Sequence, residues 1–147
     1  MIKLDLLRSQ HDAALDMAQR LLGLIDGYRP GNSATPILMQ LNRLLGLVRV
    51  HLAHEDVGLY PALIASPDPQ VARTAQRFVE EMGGLAFDFE WFARRWSCSV
   101  SIAGDIDAFR EGAHRLALAL AIRIERENRY LYPLAEAEAR RQDRKAA

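Results

Sequence analysis

The feature that most constrains this chain is the spacing of its apolar residues, which recur every three or four positions along four segments. Such spacing places them on one face of a helix with 3.6 residues per turn. The first stripe comprises Leu4, Leu7, His11, Ala14, Ala18, Leu21 and Ile25. The others run from Ile37 to Leu59, from Val71 to Trp96 and from Phe109 to Leu134. No segment alternates with the period of a strand, so we predict an all-α chain.

Breaker and capping residues separate the first two segments. The cluster Gly27–Gly31 ends the first helix. Thr35 is predicted to cap the second helix, with Pro36 at its first helical position. This second helix is predicted to reach about residue 65 and to bend at Pro61.

The second half of the chain is punctuated in the same way. Asp68 is predicted to cap the third helix and Pro69 to begin it. That helix crosses Gly83–Gly84, which weakens it locally. Residues 97–104 are predicted to form a connection before a fourth helix that starts near Asp105. Four helices with short connections predict an antiparallel up-down-up-down four-helix bundle, a single domain over residues 1–147.

Charge and composition narrow the classes of function. Lys plus Arg and Asp plus Glu both number 19, so the basic surplus that is typical of nucleic-acid or anionic-membrane binding is missing. The sequence contains neither an apolar run of bilayer length nor a secretory signal pattern. Cys98 is the only cysteine, which favours a reducing cytoplasm. We therefore expect a cytoplasmic protein that contacts neither nucleic acid nor membrane.

Five polar residues interrupt the apolar stripes: His11, His51, Glu55, Arg123 and Glu127. Burying an isolated charge costs several kcal/mol, so inward-facing groups must be paired, hydrogen-bonded or metal-bound. Counted from the predicted turns at about 1.5 Å per residue, they lie within one or two helical turns of a common height. The sequence therefore predicts one polar layer inside the bundle, as in interior metal sites of helical bundles.

The second helix carries a motif that recurs later in the chain. His51 and Glu55 are one turn apart, so both side chains can reach one ion, or the carboxylate can bridge two. The segment HLAHEDVGLYP, which starts at His51, is echoed 72 residues later by RIERENRYLYP, which starts at Arg123. Glu, Leu, Tyr and Pro match at the same offsets. The chain thus looks like two copies of one helical hairpin, each with an inward glutamate.

These residues resemble the hemerythrin-like, or HHE cation-binding, domains, and the resemblance covers nearly the whole chain. It is carried by RSQHDAAL in the first helix, by H-x-x-x-E-D-x-x-L-Y-P in the second and by E-N-x-x-L-Y-P in the fourth. In that family a helical bundle holds a non-haem di-iron site with histidines from all four helices and two bridging carboxylates. By this resemblance His11, His51, Glu55 and Glu127 are expected to be metal ligands.

The chain also departs from the family pattern. Arg123 stands where a histidine is expected, and the third helix has no histidine. Its nearest candidates are Glu80, Glu81 and Met82; Met82 lies on the core stripe, and Glu81 flanks it and could turn inward. Either Glu80, Glu81 or neither supplies a ligand. The ligand set predicted from the sequence is His11, His51, Glu55, Glu81 and Glu127.

Two interpretations remain open at this point. In the first, the cluster binds mononuclear or dinuclear iron, or another first-row metal, and Arg123 is a neighbour of the ligands. In the second, Arg123 has replaced the metal and its guanidinium bridges the carboxylates in a buried ion-pair network. A cation beside two metals would be repelled, which favours the second interpretation or a site with one metal.

The resemblance implies oxygen, redox or nitrosative-stress sensing, with a small diatomic ligand at the metal. The metal-free interpretation implies a partner-binding or structural protein instead. We expect a monomer or a homodimer. The sequence contains neither a catalytic nucleophile nor a phosphate-binding loop, so an enzymatic activity is not predicted.

Overall fold

The computed structural model describes residues 3–147 and is helical throughout, without a strand in that range. The α-helices are α1 (Leu4–Asp26), α2 (Thr35–His54), α3 (Tyr60–Ile64), α4 (Pro69–Met82), α5 (Leu85–Arg95), α6 (Ser99–Gly104), α7 (Ile106–Arg126) and α8 (Tyr132–Ala146). Five-residue π-helical turns, Glu55–Leu59 and Glu127–Leu131, join α2 to α3 and α7 to α8. Over residues 3–147, no helix combines the length and the apolar character needed to cross a membrane.

The predicted stripe of the first helix is confirmed almost residue for residue. The buried residues of α1 are Leu7, His11, Ala14, Ala18, Leu21 and Ile25. Leu4, at the start of the stripe, is only partly buried. The inward position of His11 therefore follows directly from the helical period.

Of the two predicted caps, that of Asp68 is confirmed, and the fourth helix starts beside Asp105 as predicted. The Asp68 side chain accepts a hydrogen bond from the Gln70 amide, 2.9 Å away. Asp105 caps α7 by accepting from the Ala108 amide at 3.1 Å. The prediction for Thr35 was wrong by one residue. Ala34 occupies the N-cap position and Thr35 is already helical; the Thr35 amide donates to the Ser33 hydroxyl, 3.2 Å away.

The third helix and the following connection differ from the prediction. The helix is not merely weakened at Gly83–Gly84 but interrupted there, so that α4 ends at Met82 and α5 starts at Leu85. Residues 97–104 contain the short helix α6 instead of an irregular connection. Its Ile102 is completely buried, and this anchor in the core explains why a polar, serine-rich segment folds into a helical turn.

The two π-helical turns explain how helices continue past Pro61 and Pro133. A proline ring clashes with the carbonyl four residues earlier in a regular α-helix. Here the Tyr60 amide donates to the Glu55 carbonyl, and the Tyr132 amide donates to that of Glu127, so each turn is one residue wider. The predicted irregularity at Pro61 thus takes the form of a π-helical turn, a feature often found at functional sites.

Two apolar clusters fill the interior and are separated along the helices by the polar layer. One contains most of the core residues of α1, α2, α5 and α7, including Leu21, Leu44 and Phe109. The other is formed around α3, α4 and α8 and includes Phe78 and Leu131. The polar residues between them come from the same helices. Their positions are therefore held by packing from both sides.

Replacing Asp68 by Ala is expected to lower the free energy of unfolding through loss of the α4 cap. Asp68 also accepts from Arg141 at 3.0 Å, and this contact holds its pKa below the usual range. The contribution from that lowered pKa is therefore present above pH 4 or so and is lost as the pH falls further. Urea unfolding at pH 7 and at acidic pH tests this, with Asp68→Asn as a control that can still cap. An Asp68→Ala protein as stable as the original chain at pH 7 would contradict the assignment.

Candidate metal centre

Four potential metal donors converge in the polar layer. His11 comes from α1 and His51 from α2, and Glu55 and Glu127 are the first residues of the two π-helical turns. One donor atom from each lies within 4.8 Å of the corresponding atoms of the others. All four side chains are buried. Both histidines and Glu55 come from the first half of the chain, and Glu127 comes from the second.

The two imidazoles are oriented by amide side chains. Nδ1 of His11 lies 2.7 Å from Oδ1 of Asn128, and Nδ1 of His51 lies 2.9 Å from Oε1 of Gln10. Because an amide oxygen only accepts, each Nδ1 carries a proton and donates. The Nε2 atoms consequently face the centre of the layer. Metal-binding histidines are held by the same kind of contact on their outer nitrogen.

Two buried atoms in this cluster have no hydrogen-bond partner among residues 3–147: His51 Nε2 and Glu127 Oε1. His51 Nε2 lies 3.0 Å from Glu55 Oε1 without forming a hydrogen bond, and Glu127 Oε1 lies 3.4 Å from His11 Nε2. Buried polar atoms without partners are rare in proteins because each costs about 1–3 kcal/mol. A cation between these electron-rich atoms would satisfy both.

The remaining carboxylate oxygens are bound by tyrosines from opposite halves of the chain. The Tyr60 hydroxyl donates to Oε2 of Glu127 at 2.6 Å, and the Tyr132 hydroxyl donates to Oε2 of Glu55 at 2.7 Å. Each tyrosine follows one π-helical turn and contacts the glutamate that starts the other. The exchange fixes both carboxylates and leaves their other oxygens facing the histidines.

Arg123 bridges the two carboxylates and approaches the same Glu55 oxygen, Oε1, that lies beside His51. Its Nη2 donates to Glu55 Oε1 and its Nε to Glu127 Oε2, both at 3.2 Å. Its Nη1 donates to the Met82 carbonyl at 3.3 Å. A cleft of about 310 Å³ between α3, α4 and α7 reaches Arg123, and neither glutamate lines it. The arginine therefore separates the carboxylates from that cleft.

Burial and neighbouring charge shift the pKa values of the cluster strongly. Burial, reinforced by the nearby Glu127 carboxylate, raises the pKa of Glu55 to about 8. Burial lowers the pKa of His51 to about 4, so this imidazole is neutral at pH 7. Burial also acts to raise the pKa of Glu127, but the neighbouring His11 imidazole and the charge of Arg123 outweigh it and keep that pKa low. The electrostatics favour one ionised carboxylate beside the guanidinium and an uncharged His51 facing it.

The structure brings together four of the five ligands predicted from the sequence and leaves out the fifth. The Glu81 carboxylate is 41% exposed and forms an ion pair with Arg126 on the surface. Glu80 is also exposed and accepts a hydrogen bond from Gln76. Of the three candidates in the third helix, only the Met82 backbone carbonyl approaches the layer, and it contacts Arg123. Glu81 points to the surface, where its carboxylate pairs with Arg126.

Sequence reasoning missed the residues that hold the four potential donors in place: Gln10, Tyr60, Asn128 and Tyr132. The tyrosines had a signal, since both belong to the Leu-Tyr-Pro element of the 72-residue echo. Gln10 and Asn128 lie beside His11 and Glu127 in sequence but contact the imidazoles of the other helices. Only the three-dimensional arrangement reveals these contacts between different helical segments.

The donor set fits a first-row transition metal ion. Two imidazole nitrogens and two carboxylate oxygens suit iron, manganese or zinc. Ligands at roughly 2.0–2.2 Å from one ion can lie up to about 4.4 Å apart, close to the 4.8 Å span of this cluster. The outer hydrogen bonds of both histidines and the two partnerless atoms support the same fit.

Replacing either tyrosine of the exchange by Phe is expected to destabilise the metal-free protein by about 1.5–3 kcal/mol, because a buried carboxylate loses its donor. Urea unfolding of chelator-treated Tyr60→Phe and Tyr132→Phe proteins measures the effect. Tyr130→Phe is the matched control, since Tyr130 is half-exposed and directly precedes the second Leu-Tyr-Pro element. Equal stability of all three variants and the original chain would rule out the exchange.

Comparison with known proteins agrees with this geometry. The family model described as the hemerythrin HHE cation binding domain matches residues 3–135, which is most of the chain. Comparisons with curated proteins and with solved structures found no match. The matched region includes all four converging donors and both tyrosines. The chain therefore belongs to the hemerythrin HHE cation-binding domain family.

Proposed function

We propose that this protein binds iron, or a closely similar first-row metal, through His11, His51, Glu55 and Glu127. The observation that carries the proposal is the pair of buried atoms without a hydrogen-bond partner within residues 3–147, on His51 and Glu127. Both atoms lie within the cluster of four donors, where the imidazole Nε2 atoms already point inward. Burying such atoms is unfavourable unless a ligand satisfies them.

We further propose that the protein senses or responds to oxygen, redox state or nitrosative stress. When bound, iron supplies reversible electron transfer and a position for a diatomic ligand. The chain's own residues restrict what reaches that position: the four donor side chains are buried, and Arg123 stands between the carboxylates and the nearest cleft. This enclosure favours a diatomic ligand over a larger substrate. We propose neither a nucleic-acid nor a membrane partner.

The same proposal includes the arrangement of the helices. We infer that α1, α2 with α3, α4 with α5, and α7 with α8 form the four arms of an up-down-up-down bundle within one domain. The ion pair between Arg49 and Glu90 joins α2 to α5, and the contact of His11 with Asn128 joins α1 to the turn after α7. Such a bundle would act as a monomer or a homodimer.

The contacts of Arg123 favour a second candidate function. A guanidinium that bridges Glu55 and Glu127 already neutralises part of the buried charge, as a metal would. In that case the bundle is metal-free and serves as a partner-binding or structural protein. The inward Nε2 atoms of the histidines weigh against it, because Arg123 contacts neither of them.

Metal analysis distinguishes the two functions. Protein loaded anaerobically with Fe(II) and desalted is expected to retain iron, whereas His51→Ala is expected to lose most of it. His114→Ala is the matched control, since His114 is exposed and distant in sequence from the cluster. Retention below about one tenth of an equivalent for Fe(II), Mn(II) and Zn(II) alike would refute the metal-binding function.

Gln10 offers a finer test because it contacts the proposed ligand and not the metal. Gln10→Ala frees the Nδ1 atom of His51 and is expected to weaken Fe(II) affinity by about 10–100-fold without abolishing binding. Competition with a chelator of known affinity measures the change. Gln76→Ala, at an exposed position of α4, should leave the affinity unchanged. An unchanged affinity in Gln10→Ala would show that the imidazole is not held for a metal.

A further inference from the structure

We propose that the site holds a single metal ion, because the Arg123 guanidinium occupies the position that a second cation would take. This inference rests on the proposed metal-binding function and specifies its stoichiometry. The internal repeat of the chain supports it. The glutamates and the tyrosines that bind them occur in both halves, whereas the histidines that could ligate a metal occur in only one.

The symmetric part of the repeat is complete. Glu55 and Glu127, and likewise Tyr60 and Tyr132, are 72 residues apart, and each tyrosine donates to the glutamate of the other half. Both glutamates begin a π-helical turn. A pair of carboxylates related in this way has two similar sides, and each side could accept a cation.

The donors that flank the carboxylates do not repeat. The residue 72 positions after His51 is Arg123, and the residue 72 positions after His11 is Gly83. One side of the carboxylate pair therefore carries two imidazole nitrogens. The other side carries a permanent cation and a residue without a side chain. Only the first side can ligate a metal.

Arg123 fills the second side through specific contacts. Its Nε and Nη2 atoms each donate to one carboxylate at 3.2 Å, and its Nη1 atom donates to the Met82 carbonyl at 3.3 Å. That carbonyl is available because α4 ends at Met82, immediately before Gly83–Gly84. The interruption of the third helix thus provides the acceptor that anchors the guanidinium. The arginine is 3% exposed and does not share its position with solvent.

Charge balance leads to the same stoichiometry. Metal binding requires ligating carboxylates to be ionised. Among the buried groups, Glu55 and Glu127 in that form and one guanidinium carry a net charge of −1, which one divalent ion changes to +1. A second divalent ion would bring the buried cluster to +3, with Arg123 in contact with the same oxygens. Uncompensated buried charge is strongly unfavourable, so the second ion is excluded unless the arginine leaves.

The number of bound ions tests the proposal directly. Chelator-treated protein is dialysed anaerobically against excess Fe(II), and bound iron is measured by elemental analysis. Separately, electron paramagnetic resonance of the Mn(II)-loaded protein reports whether bound ions are isolated or magnetically coupled. We expect one Fe(II) per chain and the spectrum of isolated Mn(II).

Variants of Arg123 identify the cause of the limit. Arg123→His removes the permanent charge and adds a donor, so iron binding is expected to rise towards two ions per chain, with coupled Mn(II) signals. Arg123→Lys keeps the charge and is expected to remain at one. Arg126→Met is the matched control: Arg126 lies three residues further along α7, pairs with Glu81 and should leave the stoichiometry at one. Circular dichroism confirms that each variant is folded.

The outcomes separate this inference from the function on which it rests. Two ions per chain, or coupled Mn(II), in the unaltered protein would overturn the single-ion inference and leave metal binding intact. A folded Arg123→His protein that still binds one ion would overturn the role of the guanidinium. The absence of any bound metal in the unaltered protein would refute the proposed function and, with it, the inference.

Discussion

The structure depends on the neutralisation of two glutamates in the middle of a helical interior. Glu55 and Glu127 are completely buried between two apolar clusters, where an isolated carboxylate would be far too costly. Their oxygens are bound by Tyr60, Tyr132 and Arg123. The remaining contacts are with the histidines, which form no hydrogen bond to Glu127 Oε1. Most of the polar contacts in the layer are those that two buried carboxyl groups require.

The fold and much of the site could be predicted from sequence because both follow from helical periodicity. His11, His51, Glu55 and Glu127 occupy core positions of their stripes, and this alone was enough to expect them in one layer. Glu81 was placed among the ligands only because it flanks a stripe, and a residue at the edge of a helix face can turn either way. Its partner Arg126 decides the direction, and nothing local to Glu81 indicates that pairing.

The contacts that orient the ligands were less accessible to sequence reasoning. Gln10 is adjacent to His11 but binds His51, and Asn128 is adjacent to Glu127 but binds His11. Contacts of this kind, between an amide on one helical segment and a histidine on another, depend on how the helices pack side by side. The periodicity along a single helix does not encode that packing. The interruption at Gly83–Gly84 was similarly underestimated. Two glycines lower helical propensity, which the sequence shows. That the interruption frees the Met82 carbonyl for Arg123 depends on a residue of another helix, which the local sequence does not reveal.

The tyrosine exchange has a consequence for how the two halves of the chain depend on each other. Residues 4–64 contain Glu55 and Tyr60 but neither Tyr132 nor Arg123, so this hairpin alone lacks both side chains that donate to the Glu55 carboxyl group. The second hairpin retains Arg123 as a donor to Glu127 but lacks Tyr60. Although the sequence repeats, neither repeat is self-sufficient, and the duplicated halves have become obligate complements. Their unfolding should therefore be coupled into one cooperative transition, which an array of autonomous modules would not show.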